Sequence, residues 1–132
     1  TREQYHALPG FYFSIGAAGI SYGCGYYCAS AGSMNALRSL MLAGDDSFRQ
    51  AFLAVGKQKT FSLYGDMYKR SKFPDQPEEL RRWLDRKGIG LSCDTNDPGV
   101  MFSEKLAKKV ASDFRRIAPF YDFCMKAEAS PK

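Results

Sequence analysis

The chain has 132 residues, of which 45% are hydrophobic and 14% aromatic, and its formal net charge is +5. This length favours a single domain over residues 1–132, and the apolar content excludes a mostly disordered chain. No apolar run approaches the ~20 residues that a membrane helix needs, so we expect no membrane association. Fourteen basic and nine acidic residues lie between positions 57 and 116, which therefore hold the whole charge excess. Such a segment is typical of proteins that bind phosphate ligands, nucleic acids or acidic partners, and also of a solvated surface.

Residues 10–28 predict an aromatic β-hairpin. The first strand alternates apolar and polar residues, and a turn signal follows at positions 16–19. In the second strand, alternation places Gly23 and Gly25 on one face and a row of larger residues on the other. Two glycines leave a strip without side chains. We therefore expect close approach there by a helix, by an aromatic ring or by a ligand.

The remaining elements follow from helical periodicity, capping residues and alternation. Five helices are predicted, over about residues 30–42, 45–55, 77–87, 103–118 and 120–127. The predicted N-caps are Ser30 or Ser33 for the first, Asp45 or Asp46 for the second and Ser103 for the fourth. Two further strands are predicted over residues 60–64 and 89–93, with a basic, proline-containing loop over 66–77 between them. Residues 128–132 are expected to fray. The order ββααβαβαα predicts an α+β domain whose mostly antiparallel sheet starts with the aromatic hairpin and has helices packed on one face.

The cysteines and the single histidine do not predict a metal or catalytic site. Cys24 and Cys28 would lie ~13 Å apart in an extended strand. That is beyond the ~7 Å that a disulfide allows between Cα atoms. We expect free thiols in a reducing cytoplasm, no metal and no other cofactor. His6 lies near the chain start, and nothing in the sequence connects it to a nucleophile.

The best candidate for ligand binding is the basic loop with its tyrosines. Arginine binds phosphate or carboxylate through two parallel hydrogen bonds, lysine adds a point charge, and tyrosines can stack on a base or ring. The predicted ligand-binding residues are Tyr64, Tyr68, Lys69, Arg70 and Lys87, with Gly23 and Gly25 from the hairpin. The alternative is a solvated basic loop whose tyrosines are anchored in the core.

Several short motifs occur in a recognisable order. They are Phe11-Tyr12-Phe13, Tyr22-Gly23-Cys24-Gly25-Tyr26-Tyr27, Leu37-Arg38, Phe61 to Asp66, Tyr68-Lys69-Arg70, Lys87 after a Trp-Leu helix, and Phe114-Arg115 with Pro119-Phe120-Tyr121. From about residue 9 to 127 this pattern resembles the C-terminal half of domain-of-unknown-function family 2461. The resemblance implies a mostly bacterial, cytoplasmic protein with no established activity or cofactor, so no catalytic residue carries over.

The family's N-terminal pattern, R-x-x-R-D-x-R-F-x-x-x-K, does not occur in this chain. The resemblance therefore implies a fragment or a natural shortened form, with the N-terminal half of the family protein as a partner. We hypothesise that this arginine-rich motif and Lys69, Arg70 and Lys87 line one cleft.

The leading functional expectation is a binding module that presents a basic, tyrosine-flanked cleft to an anionic small molecule or a nucleic acid. One alternative is an enzyme acting on a phosphate- or carboxylate-bearing substrate. In it, Lys69 or Lys87 would act electrostatically, and Tyr64 or Tyr68 would donate a proton. Another alternative is a structural half that packs on the N-terminal segment and exposes a large apolar patch when that segment is absent.

Overall fold

A four-stranded antiparallel sheet forms one layer of the protein. The computed structural model describes residues 8–101 and 104–130, the side chains at positions 100 and 101 excepted. The predicted hairpin consists of β1 (Pro9–Gly16) and β2 (Gly19–Tyr26), joined by a two-residue turn. The other strands are β3 (Ser62–Tyr64) and β4 (Gly90–Thr95), and the spatial order is β1-β2-β4-β3. The predicted antiparallel sheet that starts with an aromatic hairpin is confirmed, although β2 ends two residues earlier than expected.

The helices form the second layer. They are α1 (Ala31–Ala43), α2 (Asp46–Gly56), α3 (Glu78–Leu84), α4 (Pro98–Met101), α5 (Leu106–Arg116) and α6 (Ala118–Ala129). The Ser30 and Asp45 side chains accept hydrogen bonds from backbone N–H groups in the first turns of α1 and α2, so both act as the predicted N-caps. Gly44 ends α1 in the left-handed conformation, with φ of 63°. The Ser103 cap lies outside the described residues.

The helices pack on one face of the sheet, as predicted. Tyr22 and Cys24 of β2 point into this core and are fully buried. The same core contains aromatic residues from α2, α3 and α6, namely Phe48, Trp83, Phe120 and Phe123. Phe11 of β1 packs its ring against those of Phe114 and Tyr121, with centroids 4.8 and 5.0 Å apart. No helix of the described segments lies against the opposite side of the sheet, which we call the open face.

Two helix ends differ from the prediction for local reasons. Helix α3 ends at Leu84 rather than near Lys87, because the chain then pairs Met67 with Arg86 in an isolated β-bridge. The break between α5 and α6 falls at Ile117 rather than at Pro119. Pro119 instead occupies the first turn of α6. Backbone N–H groups in a first turn have no hydrogen-bond partner within the helix, so proline's lack of an N–H is tolerated there.

The C-terminal helix is tied to the hairpin near its end. Tyr26 of β2 donates its hydroxyl proton to a carboxylate oxygen of Glu128 at 2.9 Å, and Ser33 of α1 bonds to the same oxygen. Helix α6 therefore continues into the 128–132 segment expected to fray, and residues 131–132 lie outside the described part. Among the helices that the structure describes, none is long and apolar enough to cross a bilayer.

Candidate functional site

Two glycines of the open face, Gly23 and Gly90, are covered by tyrosine rings that come from opposite edges of the sheet. Tyr12 pairs with Gly23 across β1 and β2, and a Cβ added at Gly23 would lie 3.0 Å from the Tyr12 ring. Tyr64 of β3 pairs with Gly90 of β4, and a Cβ at Gly90 would lie 2.1 to 2.5 Å from three atoms of Tyr64. Of the expected occupants of the glycine strip, an aromatic ring is the one found, and no described helix lies there.

Tyr64 is fixed by a hydrogen bond as well as by the glycine beneath it. Its hydroxyl donates to the backbone carbonyl of Tyr26 at 3.1 Å. Burial, followed by the charges of Tyr12 and the buried cysteines, raises the pKa of Tyr64 to about 12. The phenol therefore stays protonated at neutral pH and acts as a hydrogen-bond donor.

A groove lies where β1 begins and β2 ends. It has a volume of about 660 Å³, and its lining includes Gly10, Tyr12, Gly25, Tyr27 and Tyr64. We call these five residues the tyrosine groove. Tyr27 is 83% exposed at its rim, although large aromatic side chains usually bury most of their surface. A volume of this size is within the range of small-molecule sites, which is roughly 300–1,000 Å³.

A second cavity of about 450 Å³ adjoins the tyrosine groove and shares Tyr27 and Tyr64 with it. Its far wall contains Asp66 and Lys87. The Lys87 amide donates to the Asp66 carbonyl at 2.7 Å, so backbone pairing holds this wall in place. The sequence placed Tyr64 and Lys87 in one candidate site, and here they line one cavity.

Three cations surround the ring of Tyr68. The ammonium of Lys72 lies 4.2 Å from the ring centroid, and the charged groups of Lys87 and Arg38 each lie 5.7 Å from it. We call Arg38, Tyr68, Lys72 and Lys87 the cation cluster. Because Lys87 belongs to the cluster and also lines the adjoining cavity, positive charge extends into the cavity beside the tyrosine groove.

Buried polar contacts position the cation cluster. Asp85 is 3% exposed, and its carboxylate accepts hydrogen bonds from the Ser71 hydroxyl at 2.6 Å and from the Lys72 amide at 2.9 Å. Arg38 donates from Nε to the Leu84 carbonyl at 2.9 Å and caps the end of α3. The basic loop is therefore shaped by a buried acid and by a helix end.

The structure brings together some of the predicted ligand-binding residues. Tyr64, Tyr68, Lys87 and Gly25 belong to one continuous surface, and Gly23 lies under the Tyr12 ring. Lys69 and Arg70 are exposed, but they line neither cavity and do not contact the Tyr68 ring.

Sequence reasoning missed Tyr12, Tyr27 and Arg38 as members of this surface. The hairpin register could have identified Tyr12, because antiparallel pairing across the turn at 16–19 places it opposite Gly23. The position of Arg38 depends on the packing of α1 against α3, which has no local signal in the sequence.

A second polar cluster extends from the core to the surface. Tyr22 donates its hydroxyl proton to Asp113 at 2.8 Å, and Lys109 donates to the same carboxylate oxygen at 2.7 Å. Burial, followed by the hydrogen bond to Asp113, raises the pKa of Tyr22 well above its usual range. Because Tyr22 is fully buried, this cluster satisfies core polar groups. Within the described ranges, no group of three His, Cys, Asp or Glu side chains could hold a metal ion.

Comparison with known proteins gives one result. Residues 1–123 match the model of the family described as "Conserved hypothetical protein (DUF2461)". The match covers most of the chain and agrees with the resemblance carried by its motifs. No curated protein and no solved structure matches the chain.

Proposed function

The chain belongs to the conserved hypothetical protein family DUF2461, whose description states no activity, and we propose that it is a binding module for an anionic, phosphate-bearing ligand. The tyrosine groove and the cation cluster together form the basic, tyrosine-flanked cleft. The observation that supports the proposal is the convergence of Arg38, Lys72 and Lys87 on the Tyr68 ring, because Lys87 also lines the cavity that adjoins the groove.

Electrostatics explains why this convergence favours an anion. The ammonium groups of Lys72 and Lys87 cannot be farther apart than the sum of their distances to the ring, which is about one Debye length, ~10 Å at 0.1 M salt. Their repulsion is therefore incompletely screened. Neither makes an ion pair with a residue that the structure describes. A bound phosphate would relieve this repulsion.

The two kinds of cation would contribute differently. Arg38 already donates to the carbonyls of Leu84 and Arg86, so its charge is fixed and not free to follow a ligand. Lys72 and Lys87 are exposed and end in flexible ammonium groups. We therefore assign direct phosphate contact to the two lysines and a fixed background charge to Arg38.

Inorganic tripolyphosphate is the probe for this proposal. Calorimetric titration should detect binding to the wild-type chain, and the double variant Lys72→Gln, Lys87→Gln should weaken it by about tenfold, since each exposed charge pair contributes roughly 0.5–1 kcal/mol. The matched control is Lys59→Gln, Lys108→Gln, which removes the same charge from exposed positions elsewhere. An equal loss in the control, or no binding by the wild type, would refute the proposal.

We also propose a bacterial, cytoplasmic location. The family resemblance supports it, as do the four cysteines, Cys24, Cys28, Cys93 and Cys124, which are all free thiols. Free thiols are typical of reducing compartments.

A second candidate function is a structural half that packs on another part of the family protein. It is favoured by Phe13 and Ile15 on the helix side of β1, which remain 44% and 70% exposed. If these side chains serve a contact outside this chain, replacing both with threonine should change its free energy of unfolding by less than about 1 kcal/mol, as at ordinary surface sites. A larger loss would assign both to the core of this chain.

A further inference from the structure

We infer that the ligand of this cleft carries a nucleobase, which stacks in the tyrosine groove while its phosphate reaches the cation cluster. This inference rests on the proposed function and specifies its ligand class. The shared chemistry is a planar base joined to a phosphate, as in a free nucleotide or in a single-stranded nucleic acid.

The first step concerns the orientation of the rings. The Cβ position of Gly90 lies at similar distances, 2.1, 2.3 and 2.5 Å, from Cζ, Oη and Cε2 of Tyr64. Near-equal distances to three neighbouring atoms mean that Gly90 faces the flat side of the ring. The other side of the ring is therefore turned away from the sheet. An aromatic ring lying on a glycine floor presents a π-face to a ligand.

The second step concerns the open backbone beside these rings. Tyr12 enters from β1 and Tyr64 from β3, at opposite edges of the sheet. Gly10 lies two residues before Tyr12 on β1 and pairs with Gly25, and a Cβ at Gly10 would meet nothing within 4 Å. A Cβ at Gly25 would lie 3.1 Å from the Tyr64 hydroxyl, so the open backbone is at Gly10, where a flat group can approach closely. Tyr27, with 83% of its surface exposed, supplies a third ring at the rim.

The third step concerns the position of the charge. Lys87 lines the cavity that shares Tyr27 and Tyr64 with the groove, so a cation adjoins the aromatic floor. A nucleotide has the same arrangement, with a flat base at one end and a phosphate at the other. A ligand with a phosphate alone would leave the aromatic part of the cleft without a role.

The lining also predicts what the cleft will not recognise. The described residues around the groove contribute glycines, tyrosines and apolar side chains, and none of them has an amide or a carboxylate. Stacking on tyrosine is available to every base, because each has a π-face. We therefore expect purines and pyrimidines to bind with similar affinity.

The test compares AMP, UMP and ribose 5-phosphate by calorimetric titration of the full chain. AMP and UMP should bind within a few-fold of each other, and each about tenfold or more tightly than ribose 5-phosphate. Tyr27→Leu should weaken AMP binding by about tenfold, whereas Tyr27→Phe should retain it because the ring remains. Tyr27→Leu should weaken AMP binding more than it weakens tripolyphosphate binding. Because Tyr27 is 83% exposed, both changes should alter the free energy of unfolding little.

The outcomes separate this inference from the proposed function. Equal affinity for AMP and ribose 5-phosphate would overturn the nucleobase and leave the phosphate site in place. Absence of binding by tripolyphosphate and by all three compounds would overturn both. A five-residue uridine strand distinguishes a free nucleotide from a single-stranded nucleic acid as the ligand. If the strand binds much more tightly than UMP, and log affinity falls with log salt concentration with a slope of about −0.7 per neutralised phosphate, the ligand is single-stranded nucleic acid. If the strand and UMP bind with equal affinity, the ligand is a free nucleotide.

Discussion

Gly90→Ala gives a quantitative test of how Tyr64 is held in the groove. The new Cβ would lie 2.1 Å from Cζ of Tyr64, so the ring must move by more than 1 Å to reach ordinary van der Waals contact. That movement breaks its hydrogen bond to the Tyr26 carbonyl, worth about 1 kcal/mol, and forces the ring out of its packed position, which costs roughly 1–2 kcal/mol more. Alanine loses less backbone entropy on folding than glycine does, which offsets roughly 0.5–1 kcal/mol of this destabilisation. We expect a net loss of about 1–2 kcal/mol.

The assay is urea unfolding followed by circular dichroism, with Tyr64→Ala and the double variant completing a mutant cycle. In the Tyr64→Ala background, Gly90→Ala should be neutral or slightly stabilising, because the three atoms nearest to the new Cβ all belong to the phenol that is removed. Gly10→Ala is the matched control. It lies on the same face, a Cβ there meets nothing within 4 Å, and it should leave stability nearly unchanged. The reasoning is wrong if Gly90→Ala has the same effect with and without the Tyr64 ring.

Three further predictions concern ionisable groups. Asp85→Ala should destabilise the fold by about 2 kcal/mol, because the Ser71 hydroxyl and the next amide lose their buried acceptor. Trypsin should also cleave the 66–77 loop of this variant faster than that of the wild type. An unchanged cleavage rate would contradict the proposal that Asp85 holds the loop in place. The raised pKa of Tyr64 contributes stability that is complete below pH 10 and is lost as pH rises towards about 12. Urea midpoints should therefore fall less steeply above pH 10 in Tyr64→Phe, and equal slopes would count against this. Hydrogen bonds from Ser47 hold the pKa of Asp45 at about 2, so its contribution is present above pH 3.8 and lost as pH falls through 2. Asp45→Asn should flatten the stability profile between pH 4 and pH 2, and a profile as steep as the wild type's would argue against it.

The local elements of this fold could be predicted because their signals are local. Alternation in 10–28 fixes the hairpin and its two faces, and Ser30 and Asp45 mark helix starts through side-chain chemistry that acts within three residues. The α3 end could not be placed, because it depends on pairing between Met67 and Arg86, which are nineteen positions apart in the sequence. Periodicity reports which face a residue occupies, but not which distant segment it meets.

The candidate site shows the same division. The sequence indicated that tyrosines and cations lie close together in and near the basic loop, and Lys72 and Lys87 do lie beside the Tyr68 ring. It could not indicate that Arg38 joins them, because that contact requires α1 to pack beside the end of α3. Nor could it indicate that Tyr27 and Lys87 share a cavity, since β2 and the chain before β4 meet only in the assembled sheet.

The exposed thiol of Cys28 gives this protein a natural site for attaching a spectroscopic probe. Burial raises the pKa of Cys24 to about 12 and that of Cys124 well above its usual value, so neither forms the reactive thiolate at neutral pH. Cys28, in contrast, is exposed and lines the cavity that adjoins the tyrosine groove. A maleimide dye should therefore react there well before it reaches either core thiol. Such a dye would lie beside the cleft and sense ligand entry without an introduced cysteine.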